Sequence, residues 1–260
     1  ATTFTGAVTA TTTTVDGATT FTGALTTATV VINAAAIASS TIDATTITLG
    51  GTGDSLSVSG NVTSAIVVTD SASALTLAGA DMTVTGDINA AGGTDAGVIN
   101  VTGAKVTFAG NLGAASGTNI DTVTVATGTR AVITETANFV DQIDIAGTGE
   151  LEISKTVTSG TVITATGTTF EAADIVATSK IYMPVNLVGG ETLIFLAGRD
   201  EDDISTAINV VLQDTALIDY TSANASGTHT ITATAKSSAT IATELSTTTN
   251  QGTALSLIHI

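Results

Sequence analysis

Beyond its acids, this 260-residue chain offers little to nucleophilic or metal chemistry: two histidines, His229 and His259, and no cysteine. A serine hydrolase would need a nucleophile elbow, and no GxSxG occurs. The carboxylates are the better candidates. Asp141 and Asp144 lie close together, with Arg130 expected in the preceding coil. A polysaccharide hydrolase or lyase needs clustered carboxylates or a Ca²⁺ site with a basic residue. Two solvated corner acids account for the same residues more simply.

Calcium is the sharper question. GGTGDSLSV at 50–58 comes close to the G-G-x-G-x-D-x-U-x nonapeptide, whose stacked turns hold Ca²⁺. Asp54 falls one place early, and Ser55 stands where the aspartate belongs. AGGTDAGVINV at 91–101 echoes the stretch, but no tandem copy follows, and the ion needs ligands from two coils. The run RDEDD at 199–203 brings four carboxylates without the spacing of a binding loop, and reads as a solvated turn or helix start. No catalytic, cofactor-binding or metal residue is therefore assigned, and Ca²⁺ is the one ion kept in view.

What positions such residues is a repeat. ATTFTGA occurs at residue 1 and again at residue 18. The seventeen-residue step continues as chemistry: Val8 to Leu25 to Ile42, Val15 to Ile32 to Leu49 to Ile66, and Phe4 to Phe21 to Ala38. The turns Asp16-Gly17, Asn33-Ala34 and Gly50-Gly51 keep the same step. Apolar columns beside polar and glycine columns at one period mark a repeated supersecondary unit. Seventeen residues are too few for two helices and a turn, but suit one coil of a β-solenoid. Alternation within Thr3-Phe4-Thr5, and within Asp121-Thr122-Val123-Thr124-Val125, puts Phe4 and the two valines inside and the threonines outside.

After residue 50 the step lengthens, with coils expected near Ser55, Ala74, Val98, Ile120, Ile143 and Ile163, and insertions such as 91–97 at corners. The fold expected is all-β: a right-handed parallel β-helix over 1–180 with coils of roughly 17–24 residues. An irregular β-rich continuation is expected over 181–254. There INVVL and ALIDY read as strands in preference to one helix over 204–212, and HTITATA reads as a strand.

Composition agrees and excludes. Aromatics are 3%, charged residues 11%, and Thr, Val and Ile favour a pleated surface. The net charge is −17, and the first base is Lys105. Such a surface repels nucleic acid and anionic lipid. No run of 18 apolar residues is present, and aromatic girdles for a membrane barrel are lacking, so no membrane insertion of this segment is expected.

The T-F-T-G-A-V-T-A style, with KVTFAGNLGA and TGELEISKTVTSGTVI, resembles the repetitive passenger regions of bacterial autotransporters and S-layer-like surface proteins. Rickettsial surface-antigen passengers are the nearest in texture, over roughly residues 1–180. The resemblance implies a β-helix outside the outer membrane, an adhesin or coat without catalysis. Its partners would be an unknown surface receptor or neighbouring copies of the same coat. Two other classes remain open: a polysaccharide-acting β-helix enzyme, and an ice-binding solenoid. Outward Thr pairs at Thr3/Thr5 and Thr20/Thr22 suggest the latter, but Ile37-Ala38-Ser39 ends that array after two rungs.

The last six residues, LSLIHI at 255–260, break the style. They are what CTG TCT CTT ATA CAC ATC encodes, the end of a transposon adapter used in library preparation. They are expected to be read-through, with His259 carrying no function and the chain an internal fragment of a longer reading frame; the alternative is a genuine apolar strand, since LSLIHI alternates.

Overall fold

The computed structural model describes residues 1–91, 96–114, 118–166, 178–183, 186–198, 210–212, 214–215, 217–225 and 227–246. The inserted segment 92–95, the acidic run 199–203, most of 204–212 as far as 209, and 255–260 lie outside them.

The regular structure of the described chain is all strand but for one short helix. The first four coils hold β1 (Thr2–Phe4), β2 (Val8–Val15), β3 (Thr19–Phe21), β4 (Leu25–Ile32), β5 (Ala36–Ala38), β6 (Ile42–Leu49), β7 (Ser55–Val58) and β8 (Val62–Val68). Next come β9 (Ala74–Leu77), β10 (Asp81–Thr85), β11 (Ile88–Ala90), β12 (Ala96–Val101), β13 (Lys105–Phe108), β14 (Ile120–Val125), β15 (Arg130–Ile133) and β16 (Asn138–Ile145). The remainder are β17 (Glu150–Ile153), β18 (Thr161–Ala165), β19 (Lys180–Met183), β20 (Thr192–Ala197), β21 (Val210–Leu212), β22 (Ile218–Ala225), β23 (Thr228–Ala235) and the helix α1 (Ser238–Ser246).

Alternate strands belong to alternate sheets, as coiling demands. The twelve-stranded sheet runs β1-β3-β5-β7-β9-β12-β14-β16-β18-β20-β23-β22. The eleven-stranded sheet runs β2-β4-β6-β8-β10-β13-β15-β17-β19-β21, with β11 beside β8. Every pair of these strands is parallel until β20 meets β23 and β23 meets β22, which are antiparallel; an isolated antiparallel bridge also joins Ala114 and Thr118. The chain is thus a parallel β-solenoid whose twelve-stranded sheet ends in an antiparallel hairpin.

The long strands β4 and β6 of the second sheet turn a corner. In β4 the buried positions are Leu25 and Thr27, then Val30 and Ile32, so the inward phase changes midway. In the fifth coil the same run is cut in two, and β10 and β11 both stack on β8.

The core is made of columns. Val8, Leu25, Ile42, Val62, Val84, Phe108, Ile133 and Ile153 lie on one another in unbroken register. A second column is Phe21, Ala38, Val58, Leu77, Val101, Val125 and Ile145. Stacking like on like at about 4.8 Å buries each apolar side chain against its equivalent above and below. The expected column Val15–Ile32–Leu49 is present, but its next member is Val68, not Ile66. Ile66 lies on Ile47. The Gly51–Asp54 corner lengthens the coil, and a one-residue irregularity between Asp43 and Thr46 partly offsets it. From Thr46 onward the net slip is two residues, which leaves the side chains there on their original face.

Later coils drift in the same way. Ser55, Ala74 and Val98 share one register as expected, but Thr122 and Gln142 follow them, not Ile120 and Ile143. The Val123 and Val125 side chains are buried between half-exposed threonines. Beyond residue 180, Val210–Leu212 and Ile218–Ala225 are strands, as is HTITATA. The helix α1 was not legible in the composition. Ser237 caps it, its hydroxyl accepting the Thr240 N–H at 3.1 Å.

The glycine of the recurring T-G-A corner has a packing cause. A Cβ on Gly103 would overlap the Gly79 carbonyl one coil below. Successive corners approach too closely there for any side chain.

Candidate functional site

Among the described residues, the densest cluster of chemistry-bearing groups sits outside the eleven-stranded sheet. Strands β10, β13, β15, β17 and β19 begin with Asp81, Lys105, Arg130, Glu150 and Lys180, and these stack in that order. Two residues along, Glu152 lies beside Tyr182. A strand sends residues i and i+2 to the same face, so Glu150 and Glu152 both point outward, about 7 Å apart.

Arg130 occupies the space between them. Its Nε donates to Glu150 Oε2 at 2.7 Å, and a terminal nitrogen donates to Glu152 Oε2 at 2.8 Å. The Tyr182 hydroxyl donates to Glu150 Oε1 at 3.3 Å, and the guanidinium carbon lies 4.8 Å over the tyrosine ring. Partial burial works to lower the pKa of Arg130. The hydrogen bonds and charges of Glu150 and Glu152 outweigh it, so the net direction is upward. Lys105 makes a looser pair with Asp81 at 3.9 Å.

Chemically the cluster is a tie across three rungs. A general acid needs a carboxyl in apolar or like-charged surroundings; both of these instead accept charged hydrogen bonds from one arginine. The cluster lies on a sheet face, not in a cleft. Two openings lie elsewhere: one of about 320 Å³ beside Phe4, Asp16 and Phe21, the other of about 200 Å³ between the corners 134–136 and 156–159.

The grouping expected from the sequence does not form. Arg130 is in β15, while Asp141 and Asp144 are in β16 of the other sheet. Asp141 is buried and accepts hydrogen bonds from Thr166 and from Asn119 at 3.5 Å. Asp144 stands on the outer face beside Thr124. The true partners of Arg130 were readable from the strand starts KVTF, RAVI, ELEI and KIYM, but their unequal steps hid the alignment.

The Asp54 corner is closed. Asp54 is 6% exposed, and its Oδ2 has no hydrogen-bond partner and no open surface. In the corner above, Asp70 takes the Thr52 hydroxyl at 3.2 Å and the Ala72 N–H at 2.8 Å. Ser55 begins β7 on the outer side, over no second aspartate. Among the described residues no group of three or more His, Cys, Asp or Glu is placed to hold a metal ion.

The threonine array is mixed. On the twelve-stranded sheet Thr3 and Thr20 align, Ile37 follows at 48% exposure, and then come Ser57, Thr76, Asn100, Thr124 and Asp144. A column not foreseen runs on the other sheet: Thr9, Thr26, Asp43, Thr63 and Thr85.

His229 lies in β23, buried, its ring edge-on to Phe195 with centroids 6.0 Å apart. Among the described residues no helix is long and apolar enough to cross a membrane. No family model, curated protein or solved structure matches the chain.

Proposed function

We propose that this chain is a structural or adhesive segment of a large bacterial cell-surface or secreted repeat protein, working outside the outer membrane. The observation that carries the reading is the unbroken column from Val8 to Ile153. A core that continues rung upon rung makes a rod, and a rod's use lies in its length and its sides. The outer columns are hydroxyl-rich, and the largest charged cluster among the described residues is spent on tying rungs together. Its partners would be a surface receptor or neighbouring copies of the same coat. A charge of −17 argues against nucleic acid.

The rival readings draw less support. A polysaccharide-acting enzyme would need Glu150 or Glu152 free for sugar, and Arg130 holds both. Ice adsorption would need a flat, uniform threonine array, and Ile37, Asp43 and Asp144 interrupt the columns.

The test is antibody labelling of intact source cells with serum raised against this chain. Labelling before permeabilisation, removed by external protease, is the expected result. Signal only after permeabilisation would overturn the reading.

A further inference from the structure

His229 occupies a position that the pattern of β23 reserves for apolar side chains. His229, Ile231 and Ala233 alternate inward, and the last two are at most 1% exposed. The imidazole faces Phe195 edge-on and stands opposite Leu196 on β20 and Asn224 on β22. Both ring nitrogens, Nδ1 and Nε2, are buried with no hydrogen-bond partner. A neutral imidazole always carries one donor and one acceptor. Leaving both unpaired in a buried setting is costly, and adding a proton would bury a charge that no described residue pairs.

We propose that His229 makes the β22–β23 hairpin an acid-sensitive cap, closed over the end of the twelve-stranded sheet at neutral pH and opened by protonation of the imidazole.

No described charge compensates that proton. Strand β20 (TLIFLA), strand β18 behind it (TVITA) and β23 itself carry no ionisable group except His229. Glu191, before β20, takes the Val188 N–H. Asp214 takes the Tyr220 N–H. Asp219 on β22 pairs with Lys236, which also holds Glu244 of α1. Asp219 lies five residues along β22 from Asn224, about 17 Å away.

The sign follows. Burial lowers the His229 pKa below its ordinary 6.5. The open hairpin therefore binds a proton that the closed one refuses. Stability from the neutral, buried ring is complete above about pH 6.5 and falls as pH drops from there toward the closed-state pKa. Across that window the open population rises up to about tenfold per pH unit. Opening uncovers the edge of β20, with Leu193 and Leu196 behind it. The inference does not depend on what the rod adheres to.

The experiment is hydrogen exchange on the full chain from pH 7.5 to 5.0, corrected for intrinsic rates. Peptides covering β22 and β23 should lose protection about tenfold per unit below pH 6.5, while β4 and β6 hold theirs. In His229→Phe, which keeps a ring against Phe195 without the nitrogens, that loss should vanish. An unchanged pH dependence in His229→Phe, or none in the wild type, overturns the proposal. Should the variant fail to fold, NMR titration of the wild-type His229 ring decides. A closed-state midpoint below 6.5 supports the cap, and one at or above 6.5 with protection intact overturns it.

Discussion

The guanidinium of Arg130 lies 4.8 Å over the ring of Tyr182, two rungs away, with Glu150 and Glu152 from the rung between holding it there. One side chain thus fastens β15, β17 and β19 from outside. Arg130→Ala removes both ion pairs and the cation–π contact, and leaves two carboxylates side by side. We expect a loss of about 1–2 kcal/mol, discounted because the arginine is a third exposed. Urea unfolding should show the loss shrinking at 1 M salt as screening removes the ionic part. A loss that salt does not change would make the contact one of packing alone.

Gly103 and Gly79 set the distance between two corners. Gly103→Ala drives a methyl into the Gly79 carbonyl, and backbone cannot swing aside as a long side chain can. A destabilisation of about 1–3 kcal/mol is expected. Gly17→Ala is the control, since nothing lies within 4 Å of a Cβ there and its φ is not positive; its effect should stay within about 0.5 kcal/mol. Equal effects at the two sites would remove corner stacking as the reason for the T-G-A motif.

Asn138 is fully buried and fully used. Its Oδ1 accepts the Leu112 N–H at 2.8 Å, and its Nδ2 donates to Val162 O at 2.8 Å and to Glu135 O at 3.0 Å. It therefore joins three segments of the stack. Asn138→Ala strands a buried N–H and two carbonyls, and should cost about 2–4 kcal/mol. Asn138→Asp should be no better, because a carboxylate would face two carbonyl oxygens. Thermal unfolding of both variants checks this: an aspartate variant as stable as wild type would mean the donors are dispensable.

The pattern of what was legible follows from what repeats. The first three coils share a seventeen-residue step, so Val8, Leu25 and Ile42 announced their column. The Phe4 and Phe21 rings, stacked at 5.3 Å and 8°, announced theirs, although Phe4, expected inside, lies on the first rung and is exposed. Alternation gives the inward face of short strands such as β7, β9 and β17, because facing within a straight strand depends only on parity; β6 and β16, which turn a corner or bury neighbouring residues, depart from it. Stacking partners depend on corner length, which parity does not record. Hence a preceding-coil position suggests Arg130 as a neighbour of Asp141 and Asp144, whereas its partners Glu150 and Glu152 are set by steps of unequal length. The α1 helix shares the Ser/Thr/Ala composition of the strands around it, and only the Ser237 cap marks its start.

The register slip after β6 can be tested directly, since the chain has no cysteine to interfere. Thr48 pairs with Val67, and both are half-exposed on the outer side. A seventeen-residue step would instead pair Thr48 with Ala65. Directly opposed residues on neighbouring strands have Cα atoms about 4.8 Å apart, within disulfide reach. A partner displaced by two residues lies about 8 Å away, beyond the limit of about 7 Å. Under mild oxidant, Thr48→Cys with Val67→Cys should cross-link, and Thr48→Cys with Ala65→Cys should stay reduced. Since both designs place the cysteines on the same face, burial cannot account for a difference between them. Faster cross-linking of the Thr48/Ala65 pair would restore the constant step and break the Leu49–Val68 column.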